Sequence, residues 1–496
     1  DAMGTNTTGA SNTAVGRSAL FANTTASNNT AVGKSALAAN TTGADNVAVG
    51  NSALDANTTA SYGVAIGSGA LGANTTGAYN VGVGFKALET VTTAGENVGI
   101  GGYALRVNTG GTANVAVGNS ALDANTTASY NTAVGYAALG ANTTGASNTA
   151  VGQDALVANT TASNNTAVGK EALKSNTTGI GHTAVGYQAL DAVTTVNDNT
   201  AVGYQALSGC TTGVNNVAVG YKAMLVSTSA GYNTSIGMFT LDALTIGASN
   251  TAVGYATLSG NTTGCCSIGV GSAALYANTT GSDNIGIGYY ALATNTTSTG
   301  SIGIGHQALY TNTGAGNTAV GRVAGYDVTT GENNIFIGRD AGRAGSPGGA
   351  ITTGSNEVCI GDENITESHI QVDWTIASDK RDKTDVSPLD LGLDFINKLE
   401  PVTYRWDKRS LYSKDQSVSP DGTHKEEQLE GGFLAQDVEV IENQYGYQQS
   451  DKTNLITHLS DDGMMYGIKY SKLVPMLTKA IQELSAKVED LENNKE

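Results

Sequence analysis

The sequence predicts a mainly β protein, a trimeric β-solenoid of 17-residue repeats followed by a small α+β domain that ends in a trimeric coiled coil. Three features predict this fold class. A Gly preceded by Val or Ile recurs at a constant step, the charged residues are concentrated in the last quarter of the 496-residue chain, and the chain ends in a heptad pattern. We expect a solenoid shaft (residues 1–345), a connector or cap (346–377) and a C-terminal domain (378–496).

The repeat has a fixed period. From Gly16 to Gly305 the Val/Ile-Gly pair occurs eighteen times at this constant step, and two more copies end at Gly321 and Gly338. A leucine stands four residues after the Gly in all but one of the eighteen copies, and an asparagine stands four residues before it in 14. Such a period is typical of one solenoid coil, in which equivalent residues stack about 4.8 Å apart.

Each coil is expected to contain a short strand, a turn, a second short strand and a second turn. Thr-Ala-Val-Gly is compatible with a strand, whereas Asn-Thr-Thr-Gly favours a turn. We expect the Val/Ile and Leu side chains to form inward ladders and the Asn side chains to form a stacked amide ladder. Two large apolar side chains per coil bury little surface relative to the entropy lost on ordering the whole coil. We therefore expect several chains, three in our interpretation, to pack together.

These copies resemble the Ala-Val/Ile-Gly repeats of trimeric autotransporter adhesin heads, which are β-rolls packed as trimers. They resemble more closely the repeats that precede chaperone domains in phage tail fibres. The likeness to the adhesins covers only the strand half of each unit.

Composition argues against several classes of partner. The net charge of −18 excludes a basic nucleic-acid surface and disfavours anionic membranes. No stretch approaches the roughly 18 consecutive apolar residues of a membrane span, and the start at Asp1 lacks a signal-peptide pattern. We expect neither nucleic acid binding nor membrane insertion.

No cofactor or metal site is expected. The Gly82-x-Gly84-x-x-Ala87 pattern recurs at the repeat period with no helix after it, unlike a dinucleotide loop. His182 occupies the Asn ladder position and is interpreted as a variant of the repeat. The four cysteines lack metal-ligand spacing, and we interpret the adjacent pair as small core or edge residues. They are Cys210, Cys265, Cys266 and Cys359.

A row of tyrosines is expected on the outer surface of the shaft, directly after the repeat glycines. Such a row is compatible with glycan binding, and tolerated surface variation is the alternative that the sequence favours. The residues are Tyr136, Tyr187, Tyr204, Tyr221 and Tyr255.

The connector and the C-terminal domain show different patterns. Residues 369–376 alternate like a strand and are expected to close the solenoid end. A helix is expected over 389–399, a strand over 401–406 that begins with proline, and a polar loop over 407–430. In the last helix, apolar residues alternate spacings of three and four, which favours a coiled coil over a single surface helix. They are Val474, Leu477, Ile481, Leu484, Val488 and Leu491.

Four motifs follow one another through residues 378–496. They are Ser-Asp-x-Arg-x-Lys from Ser378, Leu-x-Pro-Val-x-Tyr-x-Trp from Leu399, Gly-Phe-Leu-Ala-Gln-Asp-Val from Gly432, and Tyr-Ser-Lys-Leu-x-x-x-Leu-x-x-Ala-Ile-x-Glu-Leu from Tyr470. This region resembles the C-terminal intramolecular chaperone of phage tail fibres and tailspikes, which also occurs in endosialidase tailspikes and in the myelin regulatory factor.

The resemblance implies that the domain trimerises, drives folding of the preceding shaft and then cuts itself off. It implies a nucleophile at Ser378, a base at Lys383 and a cut between Ala377 and Ser378. A Ser hydroxyl needs an adjacent base, and a Lys acts as a base only when neutral, a state favoured by burial and by neighbouring cations such as Arg381. Asp382 stands where the family more often has an apolar residue.

The leading hypothesis is therefore a trimeric phage tail fibre that binds a host-surface receptor, with a glycan as one candidate, and other tail proteins at its N-terminus. It would be assembled in the host cytoplasm and belong to the virion. Any enzymatic activity would be a single-turnover self-cleavage by the Ser378–Lys383 dyad. The alternatives are a glycan-depolymerising tailspike, which needs a carboxylate pair, and a bacterial trimeric surface adhesin.

Overall fold

A computed structural model describes residues 1–365, 367–371, 374–413, 418–460 and 463–494. The chain divides into two compact units, Asp1–Asn284 and Ile285–Glu496. Each unit is described by itself.

The first unit is a parallel β-solenoid with one three-residue strand in each coil. Each strand pairs in register with the equivalent strand of the next repeat, so that Ala14 faces Ala31 and Ala31 faces Ala48. The strands β1–β16 are Thr13–Val15, Thr30–Val32, Val47–Val49, Val64–Ile66, Val81–Val83, Val98–Ile100, Val115–Val117, Thr132–Val134, Thr149–Val151, Thr166–Val168, Thr183–Val185, Thr200–Val202, Val217–Val219, Thr234–Ile236, Thr251–Val253 and Ile268–Val270.

The strands point their small residue inward, which corrects the expected orientation of Val and Ile. Side chains alternate between the two faces of a strand, so in Thr30–Val32 the central Ala31 is fully buried and both neighbours are only half-buried. The Val/Ile position is 58% exposed at Val15 and 42% exposed at Ile66. The leucine ladder is buried as expected, from Leu20 onward. The Val/Ile ladder therefore lies on the outer face of the sheet.

The expected second strand of each coil is absent from this unit, every residue of which is described. The Ala-Leu half is a series of turns, and its leucines adopt left-handed backbone conformations, with φ of 51° at Leu37 and 50° at Leu54. Left-handed backbone is costly for a residue with a branched side chain. It turns each leucine into the coil interior, where Ala36 and Leu37 are fully buried.

Two ladders of buried asparagines cross-link the coils. The predicted ladder is confirmed at Asn46, whose backbone N–H donates to Asn29 Oδ1 (3.0 Å) and whose Nδ2 donates to the Ala60 carbonyl (2.9 Å). A second ladder lies seven residues after most of the repeat glycines, where Asn57 Nδ2 donates to Asn40 Oδ1 (2.9 Å). Buried amides are costly unless hydrogen-bonded, and most of these amides find partners both in their own coil and in the neighbouring coils.

The repeat glycines are required for both conformation and space. Gly33 has φ of 134°, a region that favours glycine, and a Cβ placed there would lie 2.4 Å from the carbonyl oxygen of Gly50 in the next coil. Any side chain at this position would separate the coils.

The second unit begins with five more coils of the same kind. The period is kept except at two places, since one residue is missing before β19 and an insertion of six residues precedes β21. The strands β17–β21 are Ile285–Ile287, Ile302–Ile304, Thr318–Val320, Ile335–Ile337 and Val358–Ile360.

The last coils exchange large and small residues inside the solenoid. Phe336 replaces the usual strand alanine and is fully buried. The leucine position is glycine in two adjacent coils, and a Cβ on Gly325 or Gly342 would lie 2.8 Å or 2.4 Å from the Phe336 ring. The ring therefore fills the volume that two leucines vacate.

The strand expected over 369–376 is not formed among the described residues. Residues 369–371 and 374–376 lie in neither a helix nor a strand, and positions 372 and 373 lie outside the described residues. The last strand of the solenoid is instead β21, in the degenerate repeat copy that precedes this segment.

A small α+β region follows. The expected helix begins later than predicted, at Leu393 after Gly392, and the expected strand is formed over three residues. Two antiparallel strand pairs join β22 to β23 and β24 to β25. The elements are α1 Leu393–Lys398, β22 Val402–Tyr404, β23 Glu430–Gly432, α2 Ala435–Gln444, β24 Thr457–Leu459, β25 Tyr466–Ile468 and α3 Leu473–Asn493.

Apolar residues from α1, α2 and α3 form one core in this region. It contains Leu391, Phe395, Val438, Ile456 and Met476. Helix α3 contributes Leu473, Met476 and Ala480 to buried positions. Its heptad residues lie on a different face and are 45–63% exposed. The heptad stripe is therefore not the surface that packs against α3's own chain.

Two glutamates tie the elements together. Buried Glu442 in α2 accepts the backbone N–H groups of Leu455 (2.9 Å), Ile456 (2.7 Å) and Thr457 (3.0 Å). Glu483 in α3 accepts the N–H of Leu393 at the start of α1 (2.7 Å), and this bond is the largest cause that lowers the pKa of Glu483. Both carboxylates satisfy donors that would otherwise lack partners.

We expect Glu442→Gln to destabilise the segment 455–457. The amide would turn an NH₂ donor toward backbone donors, at a cost of about 1–3 kcal/mol. Hydrogen exchange of the three backbone amides measures this directly and should be faster. Asp437→Asn, an exposed change on the same helix, is the control. Equal protection in Glu442→Gln and the wild type would contradict this account.

We expect the coils around His182 to weaken in acid. Burial lowers the pKa of His182, whose Nδ1 accepts the Asn199 N–H (3.2 Å) while Nε2 contacts the Val196 carbonyl oxygen (2.6 Å). Protonated Nδ1 would face another donor. Because the folded pKa is depressed, the stabilisation is complete above the ordinary pKa of about 6.5 and declines as the pH falls below it.

Hydrogen exchange of residues 166–202 at pH 8 and pH 5 measures this loss. His182→Asn, which restores the residue of the other coils, should remove the local pH dependence. An equal pH dependence in that variant would show that His182 is not its source.

Candidate active site

The predicted dyad lies at the two ends of one short turn. A 3₁₀ turn spans Lys380–Asp382, and the N–H of Lys383 closes it by donating to the Lys380 carbonyl. Asp379 precedes the turn in an extended conformation and accepts the Arg381 backbone N–H (2.9 Å). The Asp379 side chain therefore caps the turn. Ser378 and Lys383 therefore flank the turn on either side.

The structure brings Ser378 and Lys383 into direct contact. Lys383 Nζ donates to Ser378 Oγ at 2.5 Å. The two atoms are in direct hydrogen-bond contact, and a neutral amine in this position would instead accept the hydroxyl proton. A Ser and a Lys five residues apart would, from their spacing alone, be expected to lie unpaired in a solvated turn. The contact between their side chains makes a joint role as nucleophile and base a testable hypothesis.

The charge near the dyad is balanced rather than purely positive. Arg381 was expected to favour a neutral base, but its guanidinium forms a fork with Asp379, with Nη2–Oδ2 at 2.6 Å and Nε–Oδ1 at 3.1 Å. These bonds lower the pKa of Asp379 and raise that of Arg381. The Asp379–Arg381 ion pair was not predicted, although the i,i+2 spacing of Asp and Arg across a capped turn is its signal.

The dyad is open to solvent in the single chain. Ala377, Ser378 and Lys383 are all exposed, so the burial expected for the base is not provided by its own chain. Large apolar residues flank the dyad and are also exposed, Ile376 by 71% and Val386 by 75%. In the single chain, Ser378 and Lys383 are therefore in contact with each other but exposed to solvent.

Four of the five predicted tyrosines lie in one row in the first unit, and Tyr136 lies outside it. Tyr187 stacks on Tyr204 (ring centroids 5.2 Å apart) and Tyr204 stacks on Tyr221 (5.3 Å). Phe239, which the prediction omitted, bridges Tyr221 to Tyr255 by edge contacts. Tyr136 is exposed.

The other candidate sites carry no clear chemistry. Within the described ranges, no group of His, Cys, Asp and Glu side chains is arranged to hold a metal ion. The four cysteines are free, and burial raises the pKa of Cys210 to about 11, so it is a poor nucleophile. A search of the described helices finds none with the length and hydropathy of a membrane span.

Comparison with known proteins identifies the region that carries the dyad. Residues 378–447 match the family model described as "Chaperone of endosialidase", and the match begins at Ser378 itself. No curated protein matches the chain. The protein thus joins a parallel β-solenoid to a C-terminal region similar to the endosialidase chaperone, a combination that fits proteins of the tail fibre or tailspike type.

Proposed function

We propose that this protein is a phage tail fibre that binds a host-surface receptor and assembles as a trimer through a self-cleaving C-terminal chaperone. The observation that carries this proposal is the 2.5 Å contact between Ser378 Oγ and Lys383 Nζ at the first residue of the chaperone match. In the virion, the shaft would face the host receptor, and its N-terminus would meet other tail proteins.

Self-cleavage would use the chain's own atoms and one water molecule. Neutral Lys383 takes the proton of Ser378 Oγ, which attacks the carbonyl carbon of Ala377. The bond from that carbon to the Ser378 nitrogen breaks, the nitrogen receives the proton, and an ester joins Ala377 to Oγ. Water then hydrolyses the ester, which leaves a carboxylate on Ala377 and a free amine and hydroxyl on Ser378.

Two exposed apolar surfaces support assembly of several copies. The outer Val/Ile ladder repeats along the strands of the first unit, and the heptad stripe runs along α3. Neither packs against its own chain to an extent that buries it. Packing three identical copies around one axis would bury equivalent surfaces on each copy. The ladder members that are most exposed in the first unit include Val15, Ile66, Ile100, Val168 and Ile236.

Assembly would also complete the active site. A lysine serves as a base only where its charged form is disfavoured, and the dyad is exposed in the single chain. Packing of other copies over the exposed Ile376 and Val386 would exclude water from Lys383. Cleavage would then occur only after assembly, so that only chains with a folded shaft would be cut.

The cleavage proposal predicts that the wild-type chain yields two fragments, residues 1–377 and 378–496. Ser378→Ala should abolish cleavage, and Lys383→Ala should slow it by about a hundredfold or more. Denaturing gels and the N-terminal sequence of the smaller fragment measure the outcome. A wild-type chain that stays intact after folding, or a Ser378→Ala chain that is cut, would contradict the proposal.

The assembly proposal predicts that charges on the Val/Ile ladder prevent trimer formation. In Val151→Asp/Val168→Asp, a carboxylate in each of two neighbouring coils would be buried between copies at high cost. Sedimentation should show loss of the trimer. Val157→Asp/Val226→Asp places the same charges at partly exposed valines outside the ladder and should remain trimeric. Trimeric ladder variants would rule out this face as the interface.

A further inference from the structure

The 3₁₀ turn between the two dyad residues is stabilised mainly by the side chain of Asp379. None of its three residues is buried, so packing does not fix its shape. A single turn of 3₁₀ helix is marginal by itself because few hydrogen bonds offset the ordering of its backbone. The Asp379 carboxylate is the side-chain cap of this turn.

The same carboxylate holds the side chain of Arg381. Its Oδ1 accepts from the backbone N–H and from Nε of Arg381, and its Oδ2 accepts from Nη2. A bidentate Arg–carboxylate pair has a defined geometry, unlike most surface ion pairs. One aspartate therefore fixes both the backbone and the charge of the turn.

We propose that Asp379 is a positioning residue for the dyad and that the Asp379–Arg381 pair sets the charge that Lys383 experiences. This inference rests on the proposed self-cleavage. The cap would keep Lys383 Nζ within reach of Ser378 Oγ, and the paired carboxylate would cancel the cation two residues before the base.

The two halves of the pair act on Lys383 in opposite directions. Removing the carboxylate leaves Arg381 as an uncompensated cation, which favours the neutral amine. Removing the guanidinium leaves an uncompensated anion, which favours the ammonium. The remaining charged side chains of this exposed segment are unchanged in both variants. They are Lys380, Asp382 and Asp385.

The test measures the rate of self-cleavage of the full chain as a function of pH. Asp379→Asn keeps an oxygen to cap the turn and should shift the rising limb of the profile to lower pH. Arg381→Gln should shift it to higher pH, and we expect each shift to be about 1 pH unit. Asp379→Asn/Arg381→Gln should return the limb close to its wild-type position.

The capping role is tested separately by Asp379→Ala. Loss of the cap should slow cleavage by about tenfold to a hundredfold at the variant's own pH optimum, as expected when reacting groups lose their alignment. Asp379→Asn should recover much of this rate at its own optimum. If Asp379→Ala fails to fold, the opposite pH shifts of the other two variants still test the charge role of the Asp379–Arg381 pair.

An ion pair in the shaft provides matched control variants. Glu89→Gln and Lys86→Gln remove the members of a shaft ion pair (2.8 Å), make the same charge changes, and should leave the profile unmoved. If Asp379→Asn and Arg381→Gln shift the rising limb in the same direction, or if neither shifts it, the charge role of the pair is wrong. If Asp379→Ala is cleaved at the wild-type rate, the capping role of Asp379 is wrong. An uncut wild-type chain would instead refute the proposed function itself.

Discussion

In-register stacking of one coil on the next is the constraint on which the rest of the structure depends. An isolated coil would carry left-handed backbone at residues such as Ser35 and Leu37 and would leave many polar atoms of its asparagine side chains without partners. Stacking supplies those partners, because most ladder amides bond to a neighbouring coil at about 3 Å. The stability of the solenoid therefore resides between coils more than within them.

This constraint makes the first coil costly and the register poorly specified. Each coil offers nearly the same strand, leucine and asparagines, so a shift by one whole repeat would satisfy the same bonds. A C-terminal region with its own core and its own glutamate cross-links, at Glu442 and Glu483, does not share this ambiguity. In the proposed trimer it would align three chains at one point, after which coils could be added in sequence.

The repeat period predicted the solenoid and the Asn29–Asn46 type of ladder because both follow from residue spacing alone. The orientation of Val and Ile was wrong because larger size was taken to mean burial, whereas a three-residue strand places its central alanine inside. The prediction of a second strand in each coil was wrong because secondary-structure propensity does not reveal that the leucines adopt left-handed backbone conformations. The exchange that centres on Phe336 depends on glycines from two coils, which only the fold brings together.

The active site was accessible to sequence reasoning only in part. Resemblance pointed to Ser378 and Lys383, which lie in contact in the structure, and their catalytic role stays a prediction. The pairing of Arg381 with Asp379 was missed because proximity in sequence does not reveal which charges neutralise each other. The burial that the chemistry of the base requires is not provided by its own chain, in which Ser378 and Lys383 are exposed. This exposure is what links catalysis to assembly in the present account.

The dependence of self-cleavage on chain concentration tests that link most directly. Denatured wild-type chains would be diluted into refolding buffer over a range of concentrations, and cut and uncut chains would be separated by oligomeric state. The account predicts that cleavage accelerates steeply with concentration and that cut chains occur only in trimers. Cleavage at a rate independent of concentration, with cut chains present as monomers, would contradict it.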